Sequence, residues 1–393
     1  MNNWQKVRLK DVISILGDGL HGTPKYDESG EYFFINGNNL SDGQIKIKSD
    51  TKRVNVSEYL KHKKDLNDRT LLVSINGTIG NVATYKGEKC ILGKSACYFN
   101  ILPGVYKEYI YYILLHDNFQ SYAKNWATGT TIKNVSLKQM REYEFLLPSF
   151  EKQQQIAKIL SSLDDKIELN AQINHNLEEQ AKAIFKSWFV DFEPFGGVAP
   201  DNWQKGKLKN ILSLQKRPIK AGISKDLPYL PIDSIPMRTF AITDVRPNSE
   251  AQSSLLLFDK DDILIGAMRV YFHRVIIAPF DGITRTTCFV LKPNDPAYLS
   301  FALLTCDLDS SVDFAQKTSK GSTMPYAVWD GGMGEIDILI PPLSIAMEFN
   351  SIVLPMLRKI QDSYREVYSL QKLRDALLPK LMSGEIDVSE VEI

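Results

Sequence analysis

The sequence is poor in cysteine, lacks any long apolar run and carries no excess of either charge. Its four cysteines, Cys90, Cys97, Cys288 and Cys306, lie in apolar stretches and form no C-x-x-C pair. That is the usage of reduced thiols in a cytoplasmic protein, not of a disulfide scaffold or a zinc site. No stretch approaches the ~20 apolar residues of a membrane span, and no apolar run follows Met1-Asn-Asn-Trp-Gln-Lys6. Neither a membrane segment nor a signal peptide is expected, so the Asn-x-Ser/Thr triplets at Asn55, Asn76 and Asn134 carry no expectation of glycans. Five scattered histidines show no metal-binding spacing. Lys plus Arg (47) equals Asp plus Glu (47), which excludes a uniformly basic nucleic-acid binder but not a locally basic one.

What is present is an ordinary globular composition, 44% hydrophobic and 24% charged, over 393 residues, enough for two or more domains. The chain is also written twice. Asn3-Trp4-Gln5-Lys6-x-x-Leu9-Lys10-x-x-x-Ser14 returns as Asn202-Trp203-Gln204-Lys205-x-x-Leu208-Lys209-x-x-x-Ser213, and Leu147-Pro148 returns as Ile340-Pro341. Tyr32–Ile35 echoes Tyr229–Ile232, Cys97 echoes Cys288, and Gly129-Thr130-Thr131 echoes Gly321-Ser322-Thr323. So long a period means domain duplication rather than a solenoid.

Each repeat opens with a globular part, residues 1–148 and 196–341, in which β-branched and aromatic runs are broken by Gly, Pro, Asn and Asp. Thr70–Ile75, Ala96–Leu102, Asp262–Gly266 and Thr287–Leu291 read as strands, and Lys107–Lys124 and Tyr298–Gln316 as helical stretches. A mixed α+β domain with a largely antiparallel sheet follows. Residues 149–195 and 342–393 then read as long helices. Ile156, Leu160, Leu163, Ile167, Asn170, Asn174, Leu177, Ala181, Ile184 and Trp188 alternate steps of four and three, as do Phe349, Val353, Met356, Ile360, Ser363, Val367, Leu370, Arg374, Leu377 and Leu381. These are heptad seams. They are expected to pair antiparallel in a pseudo-two-fold arrangement, with Asn170, Asn174, Ser363 and Arg374 either fixing register or facing water at a flare. Pro355, and Ser161-Ser162 at the matching place, predict a break in each helix. Leu163 to Trp188 would span roughly 39 Å, close to the ~34–36 Å of one turn of B-DNA.

Motifs that look catalytic fail on context. Gly17-Asp-Gly-Leu-His-Gly22 matches G-x-G-x-x-G, but Thr23-Pro24 does not open the helix a dinucleotide site needs. Gly87 to Gly93-Lys94-Ser95 has five residues between its glycines where a phosphate loop has four. Asp164-Asp165 and Asp261-Asp262 read as solvated faces or turns, and no local signature supports a nucleophile with its base. The chain is not expected to be an enzyme.

Residues 151–170, Glu-Lys-Gln-Gln-Gln-Ile-Ala-Lys-Ile-Leu-Ser-Ser-Leu-Asp-Asp-Lys-Ile-Glu-Leu-Asn, with Ile173-Asn174 and Leu177-Glu178, resemble the central region of specificity subunits of type I restriction–modification enzymes. So do Ala183-Ile-Phe-Lys-Ser-Trp-Phe-Val-Asp-Phe-Glu-Pro-Phe195, while Leu377-Leu-Pro-Lys-Leu-Met-Ser-Gly-Glu-Ile386 resembles the family's closing motif. The resemblance implies two target-recognition domains separated by two antiparallel coiled-coil helices. Each domain would read half of a bipartite site in double-stranded DNA. It also implies partners: two methyltransferase subunits carrying S-adenosylmethionine for adenine N6 methylation, and two restriction–motor subunits using ATP and Mg. No cofactor is implied for this chain.

Charge is unevenly spread. Residues 1–148 carry 20 basic and 15 acidic side chains, 149–195 carry 5 and 8, 196–341 carry 16 and 16, and 342–393 carry 6 and 8. Phosphate contacts are expected in the basic runs, from Lys25, Lys46, Lys48, Lys52 and Arg53 and from Lys216, Arg217 and Lys220, although the same runs also fit a solvated basic face. Base reading needs directed donors and acceptors. The first domain offers Asn36, Asn38, Asn39, Ser74, Asn76, Thr78, Thr130, Thr131, Lys133 and Asn134. The second offers Asp233, Ser234, Arg238, Arg269, Tyr271, His273, Arg274, Lys320, Ser322, Thr323 and Tyr326. Turn chemistry alone also explains the Asn and Gly of such loops. Different chemistry at matching loops predicts an asymmetric target, and the zero net charge predicts weak DNA binding without methyltransferase subunits. Two rival readings are a fused methyltransferase or endonuclease and a coiled-coil adaptor with no nucleic-acid role. The first would need an Asn/Asp-Pro-Pro-aromatic motif, which Ile340-Pro341-Pro342-Leu343 does not supply.

Overall fold

The computed structural model describes residues 4–129, 133–223, 226–242 and 244–388. It resolves into two compact units that are not consecutive in sequence: residues 1–165 with 372–393, and residues 166–371.

In the first unit, β1 (Gln5–Arg8) pairs antiparallel with β11 (Glu144–Leu147). Between them run β2 (Ile13–Asp18), β3 (Tyr32–Ile35), β4 (Leu40–Ser41), β5 (Gln44–Ile45), β6 (Arg53–Val54), α1 (Val56–His62), β7 (Thr70–Ser74), β8 (Val82–Thr84), β9 (Cys90–Leu92), β10 (Ala96–Ile101), α2 (Lys107–Leu115), α3 (Asp117–Trp126) and α4 (Leu137–Glu142). The main sheet has the order β2-β10-β7-β8, all antiparallel. Its central strands are buried on both faces, so they read as unbroken apolar runs rather than alternation.

After α5 (Phe150–Phe189), the second unit repeats this plan with β12 (Gln204–Lys207), β13 (Leu212–Leu214), β14 (Pro218–Ile219), β15 (Leu255–Phe258), β16 (Ile263–Gly266), β17 (Val275–Ile277), β18 (Gly282–Arg285), β19 (Cys288–Pro293), α6 (Leu299–Cys306), α7 (Asp309–Lys317) and β20 (Asp337–Ile340). The sheet order β13-β19-β16-β17 matches the first unit strand for strand, and β12 pairs with β20 as β1 does with β11. The duplication read from sequence is thus a duplication of fold. The single helical stretches expected at 107–124 and 298–316 are each two helices. In the first copy His116 ends α2 at ψ 142°, and its Nδ1 accepts the Asn118 amide at 3.0 Å.

The last long helix, α8, runs Leu343–Ser383 without interruption. The predicted breaks at Ser161-Ser162 and Pro355 do not occur. Pro355 removes one helical hydrogen bond, but Pro355 and Ser351, whose carbonyl it leaves free, both lie in an exposed stretch, where solvent is the alternative partner. Ser161 and Ser162 turn their hydroxyls back onto the carbonyls of Lys158 and Ile159. Within each unit the α5 and α8 segments lie antiparallel. Asp164 faces Arg374 and Lys152 faces Asp387 in the first; Lys166 faces Glu366 and Phe185 faces Phe349 in the second. All twenty seam residues are buried or half-buried, whereas Leu169, Ile173 and Leu373, off the seam, are exposed. The helices also supply each domain's core: Ile156, Leu160 and Leu381 join the first, and Phe185, Phe349 and Val353 the second.

Candidate nucleic-acid interface

In both copies the chain leaving the central strand is knitted to two other segments by the same backbone bonds. In the first, Ile75 N–H donates to the Ser95 carbonyl (3.0 Å) and Val135 N–H to the Ile75 carbonyl (2.9 Å), while Thr128 and Asn134 exchange both bonds (3.0 and 2.8 Å). In the second, Ala267 donates to Thr287 (2.9 Å), Ala327 to Ala267 (2.8 Å), and Lys320 and Tyr326 exchange both bonds (2.9 and 2.8 Å). Bridges Asn76–Asn134 and Met268–Tyr326 complete the match. A further turn joins each junction. Gly37 lies so close to the central strand that a Cβ there would sit 2.9 Å from Ser74 Cβ, and Ile232 packs against Gly266. The sequence-predicted loops therefore converge, three to a junction, once in each unit.

The side chains displayed there differ. The first junction is amide and hydroxyl: Asn38, Thr78 and Lys133 are exposed, and Asn36, Asn76 and Asn134 half-buried. Lys48 reaches the Asn38 carbonyl (2.9 Å), which brings the basic strap Lys46–Arg53 beside the Asn36–Asn39 turn; Arg53 rests over the Phe33 ring at 4.9 Å. Lys25 is exposed beside Glu58, which accepts its backbone amide. The second junction is cationic and aromatic, with Arg238, Arg269, Tyr271, Lys320, Ser322 and Thr323 exposed and Tyr326 half-buried. Lys220 lies next to Ile219, which pairs with Leu255. The neighbouring Ser254 carbonyl accepts Thr286, and the Thr286 carbonyl accepts the Tyr326 hydroxyl (3.1 Å). Thr130 and Thr131 fall outside the described residues.

Several expected contacts are instead scaffold. Asn39 is buried, its Oδ1 accepting Asn36 N–H and its Nδ2 donating to the Lys46 carbonyl and Thr51. Buried Ser74 accepts Asn81 N–H, and buried Ser234 donates to Asp244. Arg274 is spent on the carbonyls of Ile232, Asp233 and Ile235, Asp233 pairs with Arg246, and His273 is buried against Asp307. Arg217 lies at the entry end of β16, away from the junction, paired with Asp259 (2.9 Å) and 3.6 Å from buried Asp262. That guanidinium holds the Asp259 carboxyl below its ordinary range, whereas burial raises Asp262. Lys216 stands exposed beside Arg217.

Two exposed cations went unread in the sequence: Lys94 and Arg285. Lys94 stands in the turn before β10, next to Ser95, and Arg285 ends β18, one position short of the match, since Ser95 and Thr287 make the equivalent backbone bonds. Lys94 sits in the segment dismissed as a failed phosphate loop; the Cys97–Cys288 echo is one residue out of register, since Cys288 pairs with Gly266 as Ala96 pairs with Ser74. All four cysteines are buried, with burial raising Cys90 to about 12 and Cys288 to about 11. Among the described residues no His, Cys, Asp or Glu group is placed to hold a metal, and no helix is long and apolar enough to cross a membrane.

Two copies of one domain, each presenting the same junction with different side chains and each cored on long helices, define a duplicated recognition module. Residues 1–179 match the type I restriction modification DNA specificity domain. The chain is 28% identical to the type I restriction enzyme MjaIX specificity subunit of Methanocaldococcus jannaschii, over 99% of this chain and 95% of that one. It is 23% identical to the HindI specificity subunit of Haemophilus influenzae, over 72% and 78%. Its fold matches the crystal structure of the S subunit of a type I restriction–modification system from M. genitalium, with a TM-score of 0.64 at 20% identity over 97% of this chain and 96% of that one. Over nearly its whole length the chain is thus similar to DNA specificity subunits of type I restriction–modification enzymes.

Proposed function

We propose that each unit reads one half of an asymmetric bipartite target in double-stranded DNA, and that α5 and α8 set the gap between the halves and dock methyltransferase subunits. The observation that carries this reading is the loop junction built twice on one backbone pattern but furnished differently: amides and hydroxyls suit adenine edges and phosphates, and arginines suit guanine. The chain itself is non-catalytic in this reading and works in the cytoplasm. Two methyltransferase subunits bring S-adenosylmethionine and methylate adenine N6, and two restriction–motor subunits bring ATP and Mg for translocation and cleavage. The test is a map of N6-methyladenine in DNA from cells expressing the cognate methyltransferase subunit, with and without this chain. Methylation that depends on the chain and falls in one asymmetric two-part motif supports the reading. A co-purifying complex that methylates nothing new defeats it.

A further inference from the structure

In the second unit the reading loop Met268–Arg274 is held from behind by charged groups. His273 Nε2 meets the Asp307 carboxylate at 2.7 Å and the Asp307 carbonyl at 2.8 Å. The other oxygen of that carboxylate lies 3.1 Å from Lys182 Nζ on α5. On the far side of the ring, Nδ1 is buried without a hydrogen-bond partner, 3.5 Å from Asp309, which Arg238 holds at 3.2 Å. Arg238 N–H donates to the His273 carbonyl (2.8 Å). Arg238, Arg269 and His273 have φ of 58°, 52° and 55°, left-handed conformations that persist in bulky residues only where the surroundings over-determine them. The first unit ties the matching positions neutrally: Gln120 donates to the carbonyls of Gly80 (2.8 Å) and Leu114 (2.7 Å), the counterparts of His273 and Cys306.

We propose that His273 and Asp307 are positioning residues for recognition by the second unit. They fix the strained backbone that presents Arg238 and Arg269 and tie it through Lys182 to α5. Asp307 is buried between two partners, one on each carboxylate oxygen, so losing either leaves a buried oxygen unpaired and loosens the loop as a whole. Fidelity in one half of the target then depends on an ionic clamp, and fidelity in the other on a neutral amide. This rests on the function proposed above.

The experiment is the N6-methyladenine map from cells expressing the methyltransferase subunit with the wild-type chain, H273A, H273Q or K182M. H273A is expected to raise methylation at sites departing from the consensus about tenfold, in one half of the motif only. H273Q, whose amide can still donate to Asp307, should keep most of the discrimination, and K182M should relax the same half as H273A. Both halves read as in the wild type, or both relaxed equally, overturns the proposal. If H273A fails to fold and methylates nothing, K182M decides by the same readings. Absence of chain-dependent methylation in the wild type defeats the function instead.

Discussion

Asn174 Nδ2 donates to Ser363 Oγ across 2.7 Å in a buried seam, and the Ser363 hydroxyl donates to the Ile360 carbonyl at 2.7 Å. Two polar residues 189 positions apart thus satisfy each other in the seam, with the apolar Leu177, Ile360 and Val367 at neighbouring heptad positions. A slip by one turn in either direction would set Asn174 against Ile360 or Val367, so the pair defines register at a cost in hydrophobic contact. N174A should destabilise the chain by about 1–2 kcal/mol in urea unfolding, because it strands Ser363. N174L/S363A should recover most of that loss. A coupling near zero in the double-mutant cycle would refute the pairing.

Pro355 sits in an unbroken, exposed stretch of α8, where its lost hydrogen bond has water as the alternative. P355A supplies the missing N–H without moving the helix. The expected gain is about 1–3 kcal/mol, read from the shift in unfolding midpoint; unchanged stability would mean the proline is already accommodated without strain.

Glu178 is buried in the seam side of α5, accepting the Phe240 amide at 2.8 Å and the Thr239 hydroxyl. Burial raises its carboxyl above the ordinary 4.5, more than those two hydrogen bonds and Lys182 lower it. The folded chain therefore binds more protons than the unfolded one above the ordinary carboxylate range, and stability falls as pH rises through the raised value. E178Q removes that proton dependence. The variant should gain on the wild type at about pH 7 and lose the gain at about pH 4. A larger advantage at acid than at neutral pH would contradict the sign.

Lys94 and Arg285 stand exposed beside the two junctions, whereas Arg217 is engaged with Asp259. In the assembled methyltransferase complex, K94A and R285A should each weaken DNA binding and lower the slope of log affinity against log salt by about one. R217A should leave that slope unchanged and lower thermal stability instead. Equal slopes for all three would remove both residues from the interface.

The repeat and the seams were legible because both are periodic: Trp4 and Trp203 recur in one phrase, and Ile156 to Trp188 keep heptad spacing whatever surrounds them. The loops were legible by residue type. Their division into displayed and internal side chains was not, since nothing local shows that Asn39 will satisfy the Lys46 carbonyl or that Arg274 will collect three carbonyls from the Ile232 turn. His116 ended a helix that its neighbours would have continued, by accepting the amide two residues on. Pro355 misled in the other direction, because the rule that proline breaks helices assumes a freed carbonyl with nowhere to turn.

The first unit is closed by residues 372–388, which reach Ile156 and Leu160 from the far side of the sequence. During synthesis the apolar face of α5 in that unit must wait, uncovered, while about 200 further residues emerge, roughly 10–40 s at ordinary elongation rates. The second unit has all its parts by residue 371. The ribosome therefore delivers the later domain complete first, and the earlier one remains a client for chaperones, and a target for aggregation, until the chain is nearly finished.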